Sequence, residues 1–187
     1  FVGYWEIPAE ESSAVNGSWV EVPTRDFFDT LLRRFSYLPM IAEDLGTITP
    51  DVREVMLVYG FAGMKLLLFA FGDDPAVNPY VPHNHTQNNV VYTGTHDNNT
   101  VKGWFRKDAR EEEKQRLFKY LGRVVGEDAI HWELVRLAMM SVARTAIIPL
   151  QDVLGLGEGA RMNRPAAETG NWGWRLAEEL LTAEGEK

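Results

Sequence analysis

Ile41-Ala42-Glu43-Asp44-Leu45-Gly46 and Tyr92-Thr93-Gly94-Thr95-His96-Asp97-Asn98-Asn99-Thr100 share one grammar: a short apolar strand runs into a carboxylate, and a turn follows. Working outward from them, strands and helices alternate. Helical spacing of Phe27, Phe28, Leu31, Leu32 and Phe35 predicts a helix from Thr24 or Asp26 to Phe35. Pro39 to Ala42 reads as a short buried strand. Thr49-Pro50-Asp51 opens a helix that runs to Tyr59 and stops at Gly60. Met64 to Phe71 reads as a strand apolar on both faces, as in a parallel sheet. Gly72 to Asn89, rich in Asp, Asn, Pro and His, is a long loop, and Asn89 to Thr93 is a third strand.

Further on, the pattern predicts helices over 101–105, 109–121 and 128–142, and a fourth strand over 146–150. A glycine-rich loop over 155–173 leads to a closing helix over 174–181. Residues 1–24 read as a loop with interspersed aromatics, and 184–187 as a frayed end. Alternating strands and helices imply α/β architecture with a parallel sheet and polar motifs at the C-terminal strand ends. Four strands suit half of a (β/α)8 TIM barrel, since a full one takes roughly 250 residues. The whole chain is expected to be one partial catalytic barrel domain, with a helical insertion at 101–142.

Composition narrows the function. With 27 acids against 19 bases the net charge is -8, which disfavours nucleic acid as a partner. The absence of cysteine excludes a disulfide framework, a Cys-ligated zinc and a thiol nucleophile, and is compatible with a cytoplasmic enzyme. No apolar run approaches the roughly 20 residues of a membrane span. The start, Phe1-Val2-Gly3-Tyr4-Trp5-Glu6, has no initiator Met and no signal pattern, and reads as the middle of a longer protein.

Paired acids at strand ends suit carbohydrate chemistry. Burial behind a strand would keep Glu43 protonated as a general acid. The plainer alternative is a strand-end acid that caps the next turn or pairs with arginine. Asp97, preceded by His96, can grip sugar hydroxyls and stabilise positive charge on a ring, or can simply cap the helix beginning near Asn98 to Thr100. Asp44 reads as structural or as a supporting partner. His83-Asn84-His85, with His96 and Asp97, leaves open a metal-dependent hydrolase. Loop aromatics can stack on sugars, whereas Trp172 and Trp174 read as structural. Glycines 155, 157 and 159 lack the Lys-Ser/Thr of a phosphate loop.

Read in order, Tyr4-Trp5-Glu6-Ile7-Pro8-Ala9, Ala42-Glu43-Asp44-Leu45-Gly46, Gly63-Met64-Lys65, Phe69-Ala70-Phe71, Asn78-Pro79, Pro82-His83-Asn84, Tyr92 to Asn98, Ser141 to Arg144, Gln151 to Leu154 and Ala160-Arg161-Met162-Asn163 resemble successive blocks of the 4-alpha-glucanotransferase (amylomaltase, disproportionating enzyme) family. The resemblance implies a retaining, amylase-type enzyme that moves α-1,4-glucan segments between maltooligosaccharides. No metal or organic cofactor is implied. It matches Glu43 to the general acid/base and Asp97 to the transition-state-stabilising aspartate. His96, Asn98 and Asn163 are matched to the bound glucan, and Phe69 with Asp73 or Asp74 to the acceptor side.

The family's nucleophilic aspartate sits in an Arg-x-Asp-His motif, and no such motif occurs here. The fragment alone is therefore expected to be inactive, to need the N-terminal half of the barrel, and to aggregate or dimerise without it. Asn99 stands where the family commonly has an acid, with consequences expected for the hydrogen bonds around Asp97. Thr24 stands where glycine is more usual. A non-catalytic glucan-binding piece is the remaining alternative.

Overall fold

The structure, a computed structural model, describes residues 1–181. The expected fraying at 184–187 lies outside the described residues. The chain divides into two compact units, Phe1–Gly63 and Met64–Lys187.

The first unit opens with an antiparallel hairpin where a loop was expected. Strand β1 (Gly3–Glu6) pairs with β2 (Ser18–Glu21), and Trp5 faces Trp19 across the ladder. Their rings meet edge to face at 5.5 Å, and the Trp5 indole N–H donates to the Ala14 carbonyl at 2.7 Å. Cross-strand aromatic pairs of this kind stabilise a ladder. The turn residues that punctuate the segment belong to the connection between the strands. Helix α1 (Thr24–Arg34) follows, then β3 (Ile41–Ala42) and α2 (Pro50–Tyr59). Gly60 ends α2 in the left-handed conformation, φ 70°. Phe28, Leu38, Ala42, Val55 and Phe61 form this unit's core, with the Phe28 and Phe61 rings 4.9 Å apart.

Strand β4 (Ala62–Leu66) begins two residues before the expected strand and ends at Leu66. Its first residues pair in parallel with β3 at Ile41↔Ala62 and Ala42↔Gly63. The apolar run that follows turns into a 3-10 helix at Leu67–Phe69. Strand β5 (Asn89–Tyr92) pairs in parallel with β6 (Thr145–Ile147), Val91 against Ala146, and the strand order is β3-β4-β5-β6. Four parallel strands with intervening helices and long loops are the architecture expected of the C-terminal half of a (β/α)8 barrel.

Between β5 and β6 stand α3 (Val101–Gly103) with a π turn over Trp104–Asp108, α4 (Glu111–Leu121) and α5 (Glu127–Met139). Leu67, Phe71, Val91, Val101, Leu117, Ile130 and Leu134 are among the core residues they bury. Strand β6 is shorter than expected because Pro149 opens a further helix, α6 (Leu150–Val153). The expected closing helix is absent: within 174–181 there is only a 3-10 turn at Glu178–Leu180. No helix among the described residues is long and apolar enough to cross a membrane.

Candidate active site

In the first unit, Glu43 leaves β3 directly after the buried Ala42. Its side chain is exposed and, among the described residues, makes no ion pair and no side-chain hydrogen bond. The restricted access to water expected at a strand end is therefore not found. Neither is the arginine partner of the plainer alternative. Glu43 lines a cleft of about 610 Å3 with Asp44, Thr47, Trp19 and Asp51. The Thr49 hydroxyl beside Asp51 holds its carboxyl below the usual carboxylate range. Asp44 lies against Gly63 of β4, where any Cβ would fall 2.5 Å from Asp44 Oδ2.

In the second unit the loop after β5 is closely braced. Asn163 Nδ2 donates to Asp97 Oδ1 at 2.6 Å, and His96 Nε2 stands 3.5 Å from the same oxygen. The Asn163 N–H donates to the His96 carbonyl at 3.0 Å. Arg161 spans the two segments, with Nη2 donating to the Asp97 carbonyl at 2.8 Å and Nε to the Asn163 carbonyl at 2.7 Å. The Asp97 side chain keeps 46% of its surface exposed, so it is oriented without being sealed. It does not cap the following helix. Thr100 does that, accepting the Gly103 N–H at 3.1 Å.

Asn98 turns its carbonyl oxygen inward, accepting from both the Thr95 N–H and the Thr95 hydroxyl at 2.9 Å. Asn99 is buried and donates to Asp108 Oδ2 at 3.0 Å, so its side chain serves Asp108 and not Asp97. Trp172, expected to be structural, lays its ring 5.2 Å from the His96 ring and adopts a left-handed backbone, φ 60°. Phe69 is 41% exposed in the turn after β4, edge-on to Tyr80 at 5.5 Å. Asp74 is committed to its own turn, accepting the Ala76 N–H at 3.0 Å, whereas Asp73 is exposed with no side-chain partner among the described residues.

The histidine pair is spoken for. His85 Nε2 lies 2.9 Å from the Tyr80 carbonyl, so it carries the proton, and Nδ1 accepts the Ser141 hydroxyl at 2.7 Å. Burial pushes this imidazole below its ordinary value. His83 instead stacks on Tyr120. Among the described residues no three His, Cys, Asp or Glu side chains gather as a metal site. The donor geometry does not fit the metal-hydrolase alternative.

The structure brings His96, Asp97 and Asn163 together, and with them Arg161 and Trp172, which were not among the expected site residues. Arg161 was visible as part of the Ala160-Arg161-Met162-Asn163 block, though nothing in the spacing says where its guanidinium points.

A parallel β/α sheet whose strand-end loops carry exposed, oriented carboxylates has the layout of a β/α-type enzyme. The family follows from comparison: residues 1–182 match the model of the 4-alpha-glucanotransferase family, glycosyl hydrolase family 77, and the chain belongs to it. It is 50% identical over 183 residues to the 4-alpha-glucanotransferase of Synechocystis, covering 97% of this chain and 36% of that protein. It is 49% identical over 176 residues to the chloroplastic/amyloplastic 4-alpha-glucanotransferase DPE1 of Arabidopsis thaliana, covering 94% and 30%. Among solved structures, the amylomaltase from Streptococcus agalactiae in complex with acarbose superposes with a TM-score of 0.93 at 35% identity, covering 100% of this chain and 37% of that one. The chain thus spans about a third of the length of the relatives it matches.

Proposed function

We propose that this chain supplies the acid/base and the charge-stabilising aspartate of an enzyme that transfers α-1,4-glucan segments between maltooligosaccharides. The observation that carries the reading is the Asp97 carboxylate, half exposed, gripped by Asn163 at 2.6 Å and flanked by His96, in a member of the 4-alpha-glucanotransferase family.

In a retaining reaction one carboxylate attacks the anomeric carbon. A carboxylic acid about 5 to 5.5 Å from it protonates the leaving oxygen, then removes a proton from the incoming hydroxyl. Glu43, exposed in its cleft, is the proposed donor and acceptor of that proton. Asp97 is proposed to bond to the ring hydroxyls as positive charge develops, a bond that strengthens in the transition state. Preorganisation by Asn163 and Arg161 means little reorientation is needed at that moment. His96, with Trp172 behind it, and Asn163 and Asn98 are proposed contacts to the glucan, with Phe69 and Asp73 on the acceptor side. Acarbose, present in the Streptococcus agalactiae structure, is a suitable ligand to probe these contacts. The nucleophile is proposed to come from the barrel portion of the Arg-x-Asp-His motif, which this sequence lacks. A cysteine-free sequence fits a cytoplasmic setting, and the chloroplastic/amyloplastic name of the Arabidopsis relative gives the alternative.

The test has two arms. The 187 residues alone, incubated with maltotriose, are expected to release no glucose. The full-length Synechocystis enzyme, with its matched stretch replaced by these residues, is expected to disproportionate maltotriose. Turnover by the chain alone, or an inactive but folded chimera, overturns the proposal. Acarbose binding without turnover in the chimera would favour the non-catalytic glucan-binding reading.

A further inference from the structure

Asp152 is 2% exposed, and the proposed reaction gives it no part. It stands on α6, just after β6, and its two oxygens serve different elements. Oδ2 accepts the Thr93 hydroxyl at 2.6 Å, and Oδ1 accepts the Val101 N–H at 2.7 Å. Thr93 directly follows β5, and Val101 is the first residue of α3. Between them runs the Gly94 to Thr100 loop that carries His96 and Asp97. One buried side chain therefore ties both ends of that loop.

A carboxylate is a costly way to fill such a space. Burial pushes its pKa above the ordinary value, against the two hydrogen bonds that favour the ionised form. A well-packed apolar residue of similar volume is often as stable as a buried charge. What the apolar residue cannot do is hold two donors from separate elements at fixed spacing.

The geometry points to Asp152 as a positioning residue for the transfer reaction: by fixing the span from Thr93 to Val101 it holds the Asp97 carboxylate against Asn163 and His96. The inference rests on the role proposed for Asp97. Asp152 itself is buried, with both carboxylate oxygens taken up by Thr93 and Val101. The outer face of the same loop is held independently by Arg161 and by the Asn163 N–H, so Asp152 supplies the inner tether.

The chimeric enzyme described above tests this. Asp152→Asn can keep both bonds, with Oδ1 accepting from Val101 and Nδ2 donating to the Thr93 hydroxyl oxygen. Asp152→Leu keeps the volume and neither bond. Asp152→Leu is expected to lower kcat for maltotriose about 100-fold, because a misplacement of about 1 Å costs that much. KM should change much less than kcat, since the bond from Asp97 to the ring hydroxyls strengthens in the transition state. Asp152→Asn should recover most of the rate.

Should Asp152→Leu fail to fold, Thr93→Val frees one end alone at nearly constant volume, with an expected loss of about tenfold in kcat. Unchanged kcat per folded molecule in Asp152→Leu or Thr93→Val, or an Asp152→Asn enzyme as slow as Asp152→Leu, overturns the inference. Asp97→Asn is assayed alongside. A normal rate there overturns the reading of Asp97 and the inference with it, whereas a large loss there with normal tether variants overturns the inference alone.

Discussion

Glu43 and Asp97 each follow a short parallel strand, yet only Asp97 is held by its neighbours. Asp97 receives Asn163, stands beside His96, and has its own carbonyl bound by Arg161. Glu43 extends into its cleft with no side-chain partner among the described residues. The contrast suits the two different tasks proposed for them. A group that must accept and release a proton within one cycle is hindered by fixed partners that favour one protonation state. A group that must present constant negative charge benefits from donors that keep it ionised and aimed. The same strand-acid-turn grammar thus yields a bare acid in one loop and a braced one in the other.

Substitution separates them. In the chimera, Glu43→Gln should cost about 10² to 10⁴-fold in kcat. Being exposed and unpartnered, it should move stability by less than about 0.5 kcal/mol. A melting shift comparable to that of a core substitution would erase the contrast. The braced loop should answer differently. Asn99→Asp sets a second carboxylate, itself buried, against the exposed Asp108, where the donor at 3.0 Å now stands. A loss of about 1 to 3 kcal/mol in urea denaturation is expected, relieved by adding Asp108→Asn. No loss would mean that the bond from Asn99 to Asp108 adds nothing to stability.

Asn163→Ala should have a smaller effect, roughly tenfold in kcat, because its bond to Asp97 is charge-assisted but half exposed to water. An effect on KM alone would make Asn163 a substrate contact and not an aimer of Asp97.

The smallest effect is pH dependence in the second unit. His85 and His131 both have folded values depressed below their ordinary 6.5, in each case chiefly by burial. Below about 6.5 the unfolded chain binds protons that the folded chain refuses, so stability falls as pH drops from there towards the folded values. Asp152, raised by burial, has the opposite sign: between the ordinary carboxylate value and its raised one, stability increases as pH falls. Urea midpoints between pH 7.5 and 5.5 should therefore decline, and His85→Gln should flatten the decline. A flat wild-type profile contradicts the burial of both imidazoles.

Legibility in the sequence followed the range of the interaction. Helix α2 was readable because its limits are local chemistry, Pro50 at its start and Gly60 at its end. Strand β5 was readable from its apolar run. The β1-β2 hairpin was not, because Trp5 meets Trp19 across a turn-rich connection, residues 7–17, that reads as loop. The end of β4 was hidden because Leu67 to Phe69 have strand composition but a 3-10 backbone, with the Leu68 N–H turned to the Thr93 carbonyl. Of the site, residue types at 43, 96, 97 and 163 could be matched to motifs. The residues that brace the loop carrying 96 and 97, Arg161 and Asp152, bond to it over separations that no local pattern encodes.

One consequence concerns thermostabilisation by replacing glycine with alanine, a routine gain in which a stiffer unfolded chain raises the melting point. At Gly63 the gain reverses. The added methyl would fall 2.5 Å from Asp44 Oδ2, so the carboxylate would have to leave its place. A heat-hardened variant carrying that change would be stiffer when unfolded and worse fitted when folded.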